Sequence, residues 1–205
     1  MKTRTYFLVI FMLMLFTEGV TYAFTHVSRL PPETIVLKLP NDNYADWKEI
    51  SSYLSRKEGL VERIPVNQSV KDWVELICIQ YHDRSQWDDG TIAYPIEEIM
   101  KRLEKVTIGS YPGNKVTWRI LEKSETAVIY EWILHKPYKD VPSQHEIAHG
   151  FLTEHGFHRI GITCKNREMT SEERERWMEL LRESVVVIPV EEAKTVQGLS
   201  LLNKS

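Results

Sequence analysis

An excess of positive charge is the first thing this sequence lacks. Its 205 residues contain 26 Lys and Arg against 29 Asp and Glu, a formal net charge of −3. Proteins that bind nucleic acid need a basic surface to neutralise phosphates, and anionic membranes attract dense Lys/Arg clusters. The sequence has neither, so we expect no nucleic-acid partner and no electrostatic binding to a membrane surface.

The short motifs of common enzymes are also missing. The sequence contains no phosphate-binding loop, no dinucleotide-binding glycine pattern, no EF-hand loop and no nucleophile elbow. It has no internal repeat and no low-complexity segment. These absences favour a non-enzymatic protein without a cofactor, and they leave one chemical motif to weigh, HEIAH at 145–149.

Cysteine is scarce, because Cys78 and Cys164 are the only two in the chain. Each lies in an apolar run that predicts a strand. In an oxidising compartment they could form a disulfide, which would add roughly 4 kcal/mol of stability by closing a long loop. The other interpretation is two buried free thiols in adjacent strands. The sequence leaves both interpretations open.

After residue 23 the sequence lacks any apolar run long enough to span a bilayer. Before it, Lys2 and Arg4 precede an unbroken apolar run over Tyr6–Phe16, and small residues lead to Ala23. This order is typical of a secretory signal peptide cleaved near Ala23. A short uncleaved anchor is the alternative, but the run would span only ~16 Å as a helix. We therefore predict a periplasmic or extracellular protein that meets the membrane only through its signal segment during export.

Hydrophobic patterning predicts the elements of the mature chain. Strands are expected at 34–39, 60–64, 72–81, 115–121, 126–134, 157–164 and 185–190, while 45–55 is ambiguous. Helices are expected from Pro95, over Ser143–His155, and over Ser171–Glu183 behind a capping box.

These elements predict the organisation of the chain. The signal peptide (1–23) precedes an N-terminal leader (24–45), a domain over 46–190 and a flexible tail over 191–205. The expected fold class is α+β, a single domain with a mainly antiparallel sheet and two or three packed helices.

The segment HEIAH fits the pattern H-E-x-x-H. On a helix, His145 and His149 share a face and could bind one Zn²⁺ while Glu146 activates a water molecule. Such a site needs a third protein ligand, for which His155 is the candidate. A small zinc metallopeptidase is therefore the alternative function, with zinc as its cofactor.

Two features of the sequence argue against that alternative. Pro142 places His145 in the first turn of the predicted helix, whereas zinc peptidases of this pattern have a longer helix before their first His. Leu152 stands where the metzincin-like pattern has a glycine, so the helix would continue and turn His155 by ~280° from His145. We therefore favour a structural helix, with no catalytic residue and no metal ligand.

Two further groups of side chains have alternative interpretations. Glu75 and Glu131 lie mid-strand in apolar runs and could share a proton as an acid and base, although pairing with Arg119 or Arg159 is favoured. Five aromatic residues in strands could line a ligand pocket, although core packing is favoured. These five are Trp73, Tyr81, Trp118, Tyr130 and Trp132.

One stretch resembles a known class of proteins. Ile64–Pro65, Ser69 and Trp73–Gln80 place a proline, a short polar segment and W-x-E before an apolar strand that ends in Gln. This pattern resembles small exported bacterial domains of unknown function. The strand at 157–164 and the capped helix with Trp177 are similar in layout to the PsbP/Mog1-like α+β fold. The resemblance implies no known activity, no functional residues and no zinc motif.

The sequence as a whole predicts an exported, non-enzymatic protein. Its partner would be a protein, an envelope component or a small ligand.

Overall fold

The computed structural model describes residues 34–36, 46–55, 57–84 and 94–187. The predicted signal peptide, the predicted tail and most of the predicted leader lie outside the described residues. Neither helix in the described part is long and apolar enough to cross a membrane.

Nine strands and two helices occur within these ranges. The strands are β1 (Thr34–Val36), β2 (Trp47–Leu54), β3 (Glu58–Pro65), β4 (Glu75–Asp83), β5 (Val116–Lys123), β6 (Ala127–Leu134), β7 (Gln144–Leu152), β8 (Gly156–Lys165) and β9 (Val185–Val187). The helices are α1 (Ile96–Ser110) and α2 (Ser171–Arg182).

Seven strands form one antiparallel sheet in the order β2-β3-β4-β8-β7-β6-β5, and β1 pairs with β9 in a separate two-stranded sheet. Strand β4 lies inside the large sheet between β3 and β8, as its apolar residues on both faces predict. The predicted β5–β6 hairpin is confirmed, and the ambiguous segment 45–55 contains strand β2.

The α+β expectation is wrong, because the described residues form a predominantly β fold. Its main error is Ser143–His155, which was expected to be a helix and instead contains strand β7 between β6 and β8. Gly150 is one reason why this segment forms a strand. A Cβ at this position would lie 2.6 Å from the ring of Phe157 on the neighbouring strand, so β7 needs glycine there. In a helix, glycine costs about 1 kcal/mol.

Each face of the large sheet carries one helix. On the face that we call the α2 face, Trp177 and Leu181 of α2 pack in a cluster with Ile147, Ile160 and Ile162 from the central strands. The predicted capping box is confirmed. The Thr170 side chain accepts a hydrogen bond from the Glu173 backbone N–H, and the Glu173 side chain accepts one from the Thr170 backbone N–H.

The opposite face, the α1 face, has two separate apolar clusters. The first, which we call the helix cluster, contains Ile96 and Met100 of α1 together with Tyr130 and Trp132 of β6. The second, which we call the strand cluster, lies at β3 and β4 and contains Ile64, Trp73, Leu76 and Cys78. The sheet between the two clusters carries polar side chains.

Candidate functional site

The HEIAH motif does not form the arrangement that a zinc peptidase requires. Successive residues of a strand point to opposite faces, so His145 and His149 lie on the α2 face while Glu146 lies on the α1 face. His155 lies outside β7 on the turn before β8, with 43% of its side chain exposed and Glu154 3.4 Å away. The sheet thus separates the proposed base from the two proposed ligands.

His145 and His149 instead join the sheet to α2 and its flanks. The Nδ1 atom of His145 accepts a hydrogen bond from the Met169 backbone N–H at 3.0 Å. The Nδ1 atom of His149 lies 2.6 Å from the Leu181 carbonyl oxygen, and because a carbonyl only accepts, this nitrogen carries the proton. Burial lowers the pKa of His149, which keeps the ring neutral. Both histidines therefore have structural roles.

Glu131 and Glu75 do not form an acid–base pair. They lie on β6 and β4, which are separated in the sheet by β7 and β8. The Glu131 carboxylate accepts hydrogen bonds from Arg119 and from Arg174, as the favoured pairing predicted for Arg119. Burial alone would raise the pKa of Glu131, but His145, whose Nε2 lies 3.4 Å from Glu131 Oε2, and the hydrogen bond from Arg174 outweigh it and lower the pKa to about 2. Glu131 is therefore a fixed structural anion.

The polar part of the α1 face is built around a buried ion pair. Arg159 on β8 donates from Nη2 to Glu146 Oε1 on β7, and from Nη1 to Gln80 Oε1 at 2.7 Å. Burial alone would lower the pKa of Arg159, but the charge of Glu146 outweighs it and raises the pKa, so the guanidinium stays charged. Glu146 also accepts hydrogen bonds from Trp132 Nε1 at 2.8 Å and from Thr163 Oγ1 at 3.1 Å.

Small residues make room for this ion pair. Cys78, Gly161 and Ala148 lie opposite one another on β4, β8 and β7, and they form a row across the sheet. A Cβ at Gly161 would lie 3.3 Å from both Arg159 Nη2 and the Glu146 carboxyl carbon. The row ends at Glu62, which pairs with Cys78 across β3 and β4.

A cavity of about 60 Å³ lies above this row, between the helix cluster and the strand cluster. Its polar lining comes from the ion pair and its partners, from Gln144 and from Glu62. Two atoms of these lining residues, Glu62 Oε2 and Arg159 Nε, have no hydrogen-bond partner among the described residues, and both are buried with almost no surface open to the cavity. The apolar part of the lining is Leu60, Trp73, Leu76, Cys78, Tyr111, Trp132, Val141 and Pro142.

Glu62 is the ionisable group in this lining that lacks a counter-charge. It is 4% exposed, and no Lys, Arg or His of the described chain lies within ion-pair distance of it. Burial raises the pKa of Glu62 to about 7. Arg159 lies two strands away from Glu62 in the sheet, about 10 Å at the usual strand spacing, and it already forms an ion pair with Glu146.

Within the described residues, no group of three or more His, Cys, Asp or Glu side chains is arranged to hold a metal ion.

Cys78 and Cys164 are both free and buried, and they lie on opposite faces of the sheet. A disulfide needs Cβ atoms about 4 Å apart on the same side, so this geometry does not allow the bridge. Burial raises the pKa of both thiols, that of Cys164 to about 11.

We therefore expect two free thiols per chain, unreactive until the protein unfolds. Titration with a thiol reagent under non-reducing conditions, with and without denaturant, checks this. An intrachain disulfide found by mass spectrometry of the unreduced protein would contradict the strand register between β4 and β8.

Sequence reasoning found part of this site. Of the five aromatic residues considered for a pocket, Trp73 and Trp132 line the cavity, whereas Trp118 stacks on Tyr130 and Tyr81 stacks on His158. The polar lining residues that the sequence did not indicate are Glu62, Gln80, Gln144, Arg159 and Thr163. A charged residue in the middle of a largely apolar strand could have indicated Arg159. Glu62 has no such signal, because β3 also contains Glu58 and Arg63.

A comparison of the sequence with models of known protein families finds no match, and a search of curated protein sequences finds no significant relative.

Proposed function

We propose that this is an exported, non-enzymatic protein that binds a small polar ligand in the cavity of the α1 face. One observation carries the proposal: Glu62, a buried residue of the cavity wall, has neither a counter-charge nor a hydrogen-bond partner for its Oε2 in the described chain. An unpaired buried donor or acceptor costs about 1–3 kcal/mol, so a carboxylate in this position indicates a bound molecule or ordered water. The N-terminal pattern over 1–23 supports export to the periplasm or the cell exterior.

The size of the cavity restricts the ligand. A volume of about 60 Å³ holds a few water molecules or a compound of a few non-hydrogen atoms. Of the partner classes that the sequence left open, the cavity therefore supports a small ligand over a protein or an envelope component.

The chemistry of the cavity wall supports binding over catalysis. Cys78 is a poor nucleophile here, because burial raises the pKa of its thiol and keeps it protonated. The Thr163 hydroxyl donates a hydrogen bond to Glu146, and the Glu146 carboxylate is paired with Arg159. Neither Thr163 nor Glu146 is therefore free to act as a nucleophile or a base, which favours binding.

The test is binding of small compounds to the protein purified from an exporting host. The panel contains small amines, small carboxylates and small polyols, and the readout is the Trp132 indole N–H in ¹H–¹⁵N spectra. We expect at least one class to shift this signal in a saturable way at millimolar concentration. A Cys78→Leu variant, which fills the cavity, should lose the shift, while Cys164→Ala on the opposite face should keep it.

Circular dichroism of both variants verifies that they are folded. If no class of compound shifts the Trp132 signal, or if Cys78→Leu is folded and binds as the parent protein does, the proposed function is wrong.

A further inference from the structure

We propose that the ligand is a small organic ammonium compound whose cationic nitrogen lies against the Glu62 carboxylate. This inference rests on the proposed function and specifies its ligand class.

The balance of charge in the cavity is the first argument. Arg159 and Glu146 compensate each other and make further hydrogen bonds to Gln80, Trp132 and Thr163. Glu62 remains as an acidic side chain without a compensating base in the described chain. A buried carboxylate is stabilised either by taking up a proton or by receiving a cation. A cationic ligand supplies the charge that the cavity lacks.

The hydrogen bonding of Glu62 is the second argument. Glu62 lines the cavity, and its Oε2 has no hydrogen-bond partner among the described residues. An ionised carboxylate only accepts hydrogen bonds, so its ligand must offer a donor. An ammonium group meets this requirement.

Other ligand classes fit the cavity less well. A small carboxylate would meet two acidic side chains, Glu62 and Glu146, and only one base, whose charge is already engaged. A neutral diol would leave the charge of Glu62 uncompensated. A bound metal ion would find one uncompensated carboxylate, whereas divalent cations need several ligands.

The test compares three probes of similar size, namely ethanolamine, ethylene glycol and acetate. Affinities are measured from the Trp132 indole signal at about pH 8, where Glu62 is ionised. We expect ethanolamine to bind more tightly than the other two by about tenfold or more, the effect of one charge-assisted hydrogen bond. The isosteric Glu62→Gln variant should lose this advantage, and Glu125→Gln in the exposed β5–β6 turn should retain it.

The possible outcomes distinguish a failure of the ammonium inference from a failure of the proposed function. If ethylene glycol or acetate binds as tightly as ethanolamine, or if Glu62→Gln binds ethanolamine unchanged, the ammonium inference is wrong and the proposed function stands. If none of the three probes binds and the wider panel of amines, carboxylates and polyols also fails, then water alone occupies the cavity and both claims are wrong.

Discussion

Replacing Arg159 by methionine should lower the free energy of unfolding by about 3–5 kcal/mol at neutral pH. The reason is that the variant leaves Glu146, which is 4% exposed, buried without its counter-charge. Methionine keeps most of the side-chain volume, so the loss reports the charge and its hydrogen bonds rather than a cavity. Urea unfolding followed by circular dichroism measures the effect.

Two further variants separate the buried charge from a general effect of mutation. Adding Glu146→Gln to Arg159→Met removes both charges and keeps an acceptor for Trp132, so we expect most of the lost stability to return. Arg102→Met removes an exposed arginine that pairs with Glu98 on α1 and lies over the Tyr94 ring, and it should cost about 1 kcal/mol or less. A similar loss for Arg159→Met and Arg102→Met would show that the Arg159–Glu146 pair is not buried.

Replacing Glu62 by glutamine should stabilise the protein at high pH and have little effect at low pH. Burial raises the pKa of Glu62 from its ordinary value of 4.5 to about 7. At a pH between these two pKa values, Glu62 is protonated in the folded state and ionised in the unfolded state. The parent protein therefore loses stability as the pH rises. The loss is complete above pH 7 and amounts to about 3 kcal/mol, which the uncharged glutamine avoids.

Urea unfolding of the parent and Glu62→Gln proteins between about pH 4.5 and pH 8 tests this. Other titrating groups are common to both proteins, so they cancel in the difference between the two curves. Glu125→Gln is the matched control, and its difference from the parent protein should not change with pH. If the difference in unfolding free energy between Glu62→Gln and the parent protein is also independent of pH, then Glu62 is hydrated or paired and the account of its burial is wrong.

The parts of the fold that the sequence predicts correctly are those with a local physical signal. Strand β4 is apolar on both faces and lies inside the sheet, Pro95 precedes α1, and Thr170 with Glu173 starts α2. In each case the residues that decide the structure are close together in the chain.

Strand β7 was predicted wrongly because its partners are distant in the chain. Both of its faces are buried, so apolar and polar residues do not alternate along it. Three of its polar side chains bond to Met169, Leu181 and Arg159, which are distant in the chain and which local patterns cannot show. Without these partners, a segment with two histidines and a glutamate resembles a motif on a helix.

The cavity could not be predicted for a similar reason. It depends on the register of four strands, which brings Glu62, Cys78, Gly161 and Ala148 into one row across the sheet. A shift of one residue in β3 would turn Glu62 to the other face. Nothing in the sequence distinguishes Glu62 from its charged neighbours in β3, and only the sheet order places Glu62 and Arg159 on one cavity.

The most direct test of the cavity as an ammonium site is the pKa of Glu62 itself, measured by carboxyl ¹³C NMR with and without ethanolamine. We predict a pKa near 7 in the free protein and a clear decrease when ethanolamine is bound, because the cation favours the ionised carboxylate. A pKa near the ordinary value of 4.5 in the free protein, or a pKa that saturating ethanolamine leaves unchanged, would contradict the account.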